Sequence, residues 1–129
     1  VTTTAQEAEV SEVTIYDRNG EPTAYIDNDG ETIVLWDGRS VAYFAGDDIY
    51  AWDGAHLGTF RDGILYDASG MRVGFLPGRC PSAQRLATIK MIKQIRMVKG
   101  VRQIAPIAPV KSIAPSNIPL NQFLTGERR

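Results

Sequence analysis

LWDGRSVAYF at residues 35–44 and AWDGAHLGTF at residues 51–60 are two settings of one ten-residue phrase. Each runs from an apolar residue through Trp-Asp-Gly to a small residue, Ala42 or Gly58, and closes on Phe. Asp-Gly between alternating apolar positions is a tight-turn signal, because glycine accepts the positive φ that a short hairpin needs. Outward on both sides the phrase recurs with two more residues around its turn: IYDRNGEPTAYI at 15–26 and LYDASGMRVGFL at 65–76. Asp17, Asp37, Asp53 and Asp67 are 20, 16 and 14 residues apart, one hairpin per copy. The longer outer copies predict the same hairpin with a longer tip. Asn28-Asp29-Gly30, Gly46-Asp47-Asp48 and Asp62-Gly63 supply second turns between copies. The chain over 13–78 therefore reads strand, turn, strand, turn, four times, which makes it mainly β.

The small residue after each turn (Ala24, Ala42, Gly58, Gly74) predicts close approach around a common axis. The aromatic before each turn (Tyr16, Trp36, Trp52, Tyr66) is read as packing between neighbouring hairpins. This repeated aromatic-Asp-Gly hairpin resembles the four-fold β-flower family. The resemblance implies four pseudo-symmetric hairpins in a shallow barrel around an apolar channel, and it implies no activity. Tyr16-Asp17-Arg18-Asn19-Gly20 and Tyr66-Asp67-Ala68-Ser69-Gly70 also resemble locally the YD repeats of bacterial toxin shells. The middle copies lack that core. The plan of a C-terminal helix after a barrel is similar to tubby-like and scramblase barrels, which implies a plugged channel.

Charge is divided along the chain. Residues 1–78 hold 14 acidic and 4 basic side chains, whereas 79–126 hold 8 basic and no acidic ones. Opposite charge at high local concentration predicts that the basic segment docks on its own acidic head. No apolar run reaches the 18 residues of a membrane-spanning helix. The single cysteine, Cys80, excludes an intrachain disulfide and points to a reducing, cytoplasmic compartment. Val1 and the threonines after it read as neither a signal nor a transit peptide.

Four parts follow: an N-terminal extension at 1–12, a four-hairpin domain at 13–78, a basic helix at 79–100, and a proline-containing strap and tail at 101–129. Pro81-Ser82 reads as the helix start and Gly100 as its stop. Ala87, Met91, Ile92, Ile95 and Val98 then fall within a helical arc of about 140°. After Gly100, Val101, Ile104, Ile107, Val110 and Ile113 recur every third residue among prolines, the period of polyproline II. They predict an extended strap whose five β-branched side chains form one buried edge in a groove, on its own barrel, another copy or a partner. Ser116 to Leu124 is apolar enough to dock too, leaving Thr125–Arg129 as a free end.

Catalytic signals are poor. His56 sits between Gly54 and Gly58 and reads as a solvated tip residue, and Cys80 has no third group to complete a nucleophilic set with it. Asp27-Asn28-Asp29-Gly30-Glu31 fails as a calcium loop, since Tyr25 and Trp36 would stand where carboxylates are required. The repeated aspartates are read as caps of their own turns in preference to a carboxylate ring. No catalytic, cofactor or metal residue is assigned, and no cofactor is expected. The basic residues alternate with isoleucine and methionine, not with base-stacking aromatics, so nucleic acid is disfavoured. The chain is read as a non-enzymatic interaction or scaffold protein, self-associating or partner-binding through Val101, Ile104, Ile107, Val110 and Ile113. The alternative is a carrier or sensor of an apolar ligand or lipid, its channel lined by Tyr16, Trp36, Trp52 and Tyr66. An anionic membrane surface would then be met by Arg85, Lys90, Lys93, Arg96 and Lys99.

Overall fold

The computed structural model describes residues 12–86 and 89–126. The N-terminal extension, save Glu12, therefore lies outside the described residues, as do Ala87 and the last three residues of the expected free end. Eight antiparallel strands close into a barrel in chain order. They are β1 (Val13–Tyr16), β2 (Pro22–Ile26), β3 (Thr32–Leu35), β4 (Ser40–Ala45), β5 (Asp48–Ala51), β6 (His56–Arg61), β7 (Ile64–Asp67) and β8 (Arg72–Phe75). The register shifts once in each hairpin, after Ile15, Ile33, Ile49 and Leu65. A bulge at this place sharpens the twist that a small barrel needs. All four of these residues are fully buried. The seam is β1 against β8, joined through Tyr16 and Phe75.

The four tips are alike, which corrects the expected difference in length. The N–H of Gly20, Gly38, Gly54 and Gly70 donates to the carbonyl three residues back, on Asp17, Leu35, Ala51 and Asp67. The hairpins therefore align on glycine, not on aspartate. Aspartate opens the tip in the first and fourth copies and stands third in the tip in the middle two. Both placements cap the turn. Asp17 Oδ1 accepts from Asn19 N and Glu21 N, and Asp67 Oδ1 from Ser69 N and Met71 N. Asp37 Oδ1 accepts from Arg39 N and Asp53 Oδ1 from Ala55 N. The carboxylate has two routes to the same backbone donors, so its sequence position wanders while the glycine stays fixed.

The expected basic helix over 79–100 is not formed: its described residues are turn, bend or without regular secondary structure. Reach and hydrogen bonding explain this. Twenty residues of helix cover only about 30 Å, whereas a polyproline-like trace covers about 3.1 Å per residue. The chain from this segment to Ser112 uses that length to pass all four tips, giving them backbone N–H groups that a helix would keep for itself. The one described helix is α1 (Leu120–Thr125), closed by Gly126 in the left-handed conformation at φ 78°. It is the plug. Leu120, Phe123 and Leu124 sit at helical spacing and join the barrel's core cluster with Ile15, Ile33, Ile49 and Leu65. The repeated small residues make room for it. A Cβ on Gly74 would stand 2.9 Å from Leu120 Cδ1, and one on Gly58 would stand 3.1 Å from Phe123 Cζ and 2.0 Å from the Tyr66 carbonyl oxygen.

Candidate functional site

Between Arg79 and Pro119 the chain forms a strap around the hairpin tips, and its three-residue period runs from Leu86 to Ile113. One edge supplies backbone donors. The N–H groups of Arg85, Gln94, Gln103 and Ser112 reach the carbonyls of Gly20, Gly38, Gly54 and Gly70 at 2.8–2.9 Å. Met91 N and Gly100 N reach those of Trp36 and Trp52 at 3.0 and 2.8 Å. The four tip glycines are thus met by strap residues nine apart, so the strap carries a repeat of its own that matches the barrel's. Lys90-Met91-Ile92-Lys93-Gln94-Ile95 and Lys99-Gly100-Val101-Arg102-Gln103-Ile104 show it in the sequence. Glycine is required at these tips. A Cβ on Gly20, Gly38 or Gly54 would stand 2.0, 2.1 or 1.9 Å from the carbonyl oxygen of Ala83, Ile92 or Val101. Gly100 is explained the same way, since its Cβ would stand 2.0 Å from the Asp53 carbonyl oxygen. It is a close approach, not a helix stop.

The second edge is cationic and turns toward the barrel. Lys90 Nζ lies 4.2 Å from the ring centroid of Tyr25, and Lys99 Nζ, nine residues on, lies 4.3 Å from that of Tyr43. Arg102 covers Tyr50 and Lys111 covers Tyr66. Such contacts contribute roughly 0.5–2 kcal/mol each, according to how far the cation is desolvated. At the first hairpin the cations meet carboxylates. Lys93 Nζ is 2.7 Å from Asp27 Oδ1, Arg96 pairs with Asp27 Oδ2, and Lys90 Nζ is 2.5 Å from Glu12 Oε1. Burial of Asp27 pushes its carboxyl up. Hydrogen bonds from Lys93 and from Asn28 N, with the charges of Lys93 and Arg96, outweigh that and hold it below the ordinary carboxylate value. The Asp27 hydrogen bond in turn raises Lys93. Arg85 pairs with Glu21 at 2.8 Å. The basic segment is thus docked on its own acidic head, and all five cations named for a membrane surface are engaged there.

The third edge is aliphatic. Every third residue from Leu86 to Ile113 is Leu, Ile or Val, and these are 85–97 % exposed. Of the expected grooves, the chain's own barrel is therefore not the one that holds Val101, Ile104, Ile107, Val110 and Ile113. They belong to a longer row that faces away from the barrel, because charge complementarity and backbone donors claim the other two edges. In the sequence the helical spacing of Met91, Ile92, Ile95 and Val98 masks the row's first half. The spacing of Lys90, Lys93, Arg96, Lys99 and Arg102 carried the same three-residue period.

The aromatics proposed for a channel lie outside it. Ile15, Leu35, Ala51 and Leu65 face the core, so Tyr16, Trp36, Trp52 and Tyr66, each one residue on, alternate to the outer face. Tyr66 packs with Ile64, Phe75 and Cys80. Trp36 meets Tyr25 edge-on with centroids 5.9 Å apart, and Trp52 Nε1 donates to the Met97 carbonyl at 2.6 Å. The tryptophans are tip residues and the tyrosines are strand residues, so these four positions are not equivalent. His56 is not solvated: its side chain is 8 % exposed and its Nε2 lies 2.9 Å from Asp48 Oδ1. Cys80 Sγ donates to the Asp17 carbonyl, and so takes no part in a pair with His56. Among the described residues no cluster of metal-ligating side chains occurs, and no helix is long and apolar enough to cross a membrane.

Searches of curated proteins and of solved structures found no match to this chain. The model of one family does match, and over residues 13–124 it takes in the eight strands, the strap and the plug together. That match spans most of the chain, and a four-fold flower is how the family is described: the chain, with its four hairpins in a closed ring, belongs to the 4-fold beta flower protein family.

Proposed function

We propose that this protein is a non-enzymatic interaction module in which the barrel is a frame and the strap's aliphatic row is the contact surface. The observation that carries this is the unbroken exposure of that row from Leu86 to Ile113. Burying one such side chain contributes about 1.5–3 kcal/mol at about 25 cal/mol/Å², or roughly 60–120 Å² apiece. Ten of them offer roughly 600–1,200 Å², which brackets the ~800 Å² per partner of a specific interface. A monomer seldom leaves so much contiguous apolar surface in water. Because the row follows the rim past four tips, a flat partner covers only an arc of it. A second copy carries a rim of the same curvature, so self-association is the occupant we favour. Leu120, Phe123 and Leu124 occupy the barrel axis, which argues against an apolar cargo there.

The test is sedimentation or native mass measurement across a concentration series for wild type, Ile107→Asp and Ala108→Asp. Ile107 lies on the row and Ala108 lies beside it. Concentration-dependent association that falls about tenfold or more in Ile107→Asp, and persists in Ala108→Asp, supports the proposal. Ile107 is 97 % exposed, so its variant should melt with wild type. A wild type that stays monomeric to high concentration, or two variants that behave alike, overturns it. Binding to lipid vesicles without self-association overturns the choice of occupant.

A further inference from the structure

We propose that the barrel's seam carries a binding site for a small organic anion, a carboxylate or phosphate bearing an apolar group. Where the strap closes on β8, through the parallel bridge of Arg72 and Pro115, it leaves a cleft of about 350 Å³. That is within the roughly 300–1,000 Å³ of small-molecule sites. Three guanidinium groups line it from three separate segments: Arg18 in the first tip, Arg72 at the start of β8, and Arg79 where the strap begins. Among the described residues no carboxylate lines it, and none of the three arginines forms an ion pair. By contrast, the strap cations Arg85, Lys90, Lys93 and Arg96 form ion pairs, and Lys99, Arg102 and Lys111 lie over aromatic rings. Their placement is fixed by other bonds. Arg18 Nη1 donates to the Ser116 carbonyl at 3.2 Å and Arg72 Nε to the Ser112 carbonyl at 3.3 Å. Each keeps further N–H groups for a ligand. The Arg79 stem packs over Gly63.

Asp17 lines an adjoining cavity that shares Arg18 and Arg72. Its Oδ1 is already committed to the backbone N–H groups of its own turn. Phe75, Pro81, Ile113 and Pro115 complete the cleft. That wall favours an anion with an apolar body over a bare inorganic ion, while the guanidinium forks suit either a carboxylate or a phosphate. The site breaks the four-fold pattern, since it exists only where the first and last hairpins meet. It spans the seam between β1 and β8, so a bound anion would tie the two edges of the barrel together.

The experiment uses the full chain at constant ionic strength. Phenyl phosphate, benzoate and inorganic phosphate are titrated by calorimetry and by NMR of the arginine Nε–Hε signals. Saturable binding of phenyl phosphate or benzoate, tighter than inorganic phosphate and with shifts at Arg18, Arg72 and Arg79, is expected. Arg18→Gln and Arg79→Gln should each weaken it by about tenfold, the effect of losing a charge-assisted contact. Arg79 is exposed and its glutamine keeps part of the stem, so that variant should melt normally. Lys111→Gln, outside the cleft, should bind like wild type. Which probe binds tighter separates a carboxylate ligand from a phosphate one. Absence of saturable binding, or equal affinity in wild type and both arginine variants, overturns the proposal. The cleft shares Ile113 with the aliphatic row, but the row's role is read separately, by association.

Discussion

Gly54 accepts the Gln103 N–H on its carbonyl oxygen at 2.8 Å, and the place where its Cβ would stand is 1.9 Å from the carbonyl oxygen of Val101. One residue thus both binds the strap and, by lacking a side chain, admits it. The same pairing joins Gly38 to Gln94 and Ile92, and Gly20 to Arg85 and Ala83. Barrel and strap are built to a common register.

Alanine at position 54 should therefore release the strap locally. Gly54→Ala meets a φ of 95° as well as the clash, whereas Gly46→Ala meets a φ of 62° with nothing within 4 Å. Both should cost about 1–2 kcal/mol of backbone strain. Only the first should also accelerate amide hydrogen exchange at Gln103. Equal exchange in the two variants would show that the strap does not depend on this contact.

The ion pairs at Asp27 set a pH window for docking. The folded Asp27 carboxyl is depressed, so its contribution is fully present above the unfolded value of about 3.9 and is lost as pH falls through the folded value. Lys93 is raised, so its contribution is present below about 10.4 and is lost as pH climbs through its folded value. The contribution of this pair should therefore be flat between these limits and fall outside them. Asp27→Asn should cost about 1–2 kcal/mol at pH 7, a modest figure because its cationic partners are partly solvated. It should also flatten the acid limb of a melting-temperature profile. An unchanged acid limb would remove Asp27 from this role.

The plug predicts a large effect from a small helix. Leu124 is fully buried in the core of the barrel, so Leu124→Ala should cost about 2–5 kcal/mol in denaturant unfolding. A loss below about 1 kcal/mol would mean that the barrel is stable without α1.

The two kinds of repeated aromatic should separate on mutation. Tyr66 is buried among Ile64, Phe75 and Cys80, so Tyr66→Ala should cost roughly 3–5 kcal/mol. Trp52 is half-buried at a tip, so Trp52→Ala should cost less, about 1–3 kcal/mol, through lost contacts with the strap. Indistinguishable melting curves for the two would contradict the alignment of the hairpins on glycine.

Local chemistry alone determined much of this protein. Aspartate next to glycine with flanking alternation specifies a hairpin wherever it occurs, so four hairpins, eight short strands and self-capping aspartates were legible. So was the three-residue period of 101–113, because proline and β-branched spacing act over a few residues. The same period in Lys90, Lys93, Arg96 and Lys99 was present too, but Met91, Ile92, Ile95 and Val98 also fit a helix. Composition alone could not choose between them. Tertiary structure made that choice, because only the positions of four tip carbonyls show that backbone donors every nine residues are better spent outside a helix. It also decided which way each edge faces. Asp27 and the tyrosines draw the cations inward, and once they do, the aliphatic side chains three residues apart have nowhere to go but out. Arg18, Arg72 and Arg79 stand up to 61 residues apart and share no motif. Only closure of the ring, a contact between the first hairpin and the last, brings them to one cleft.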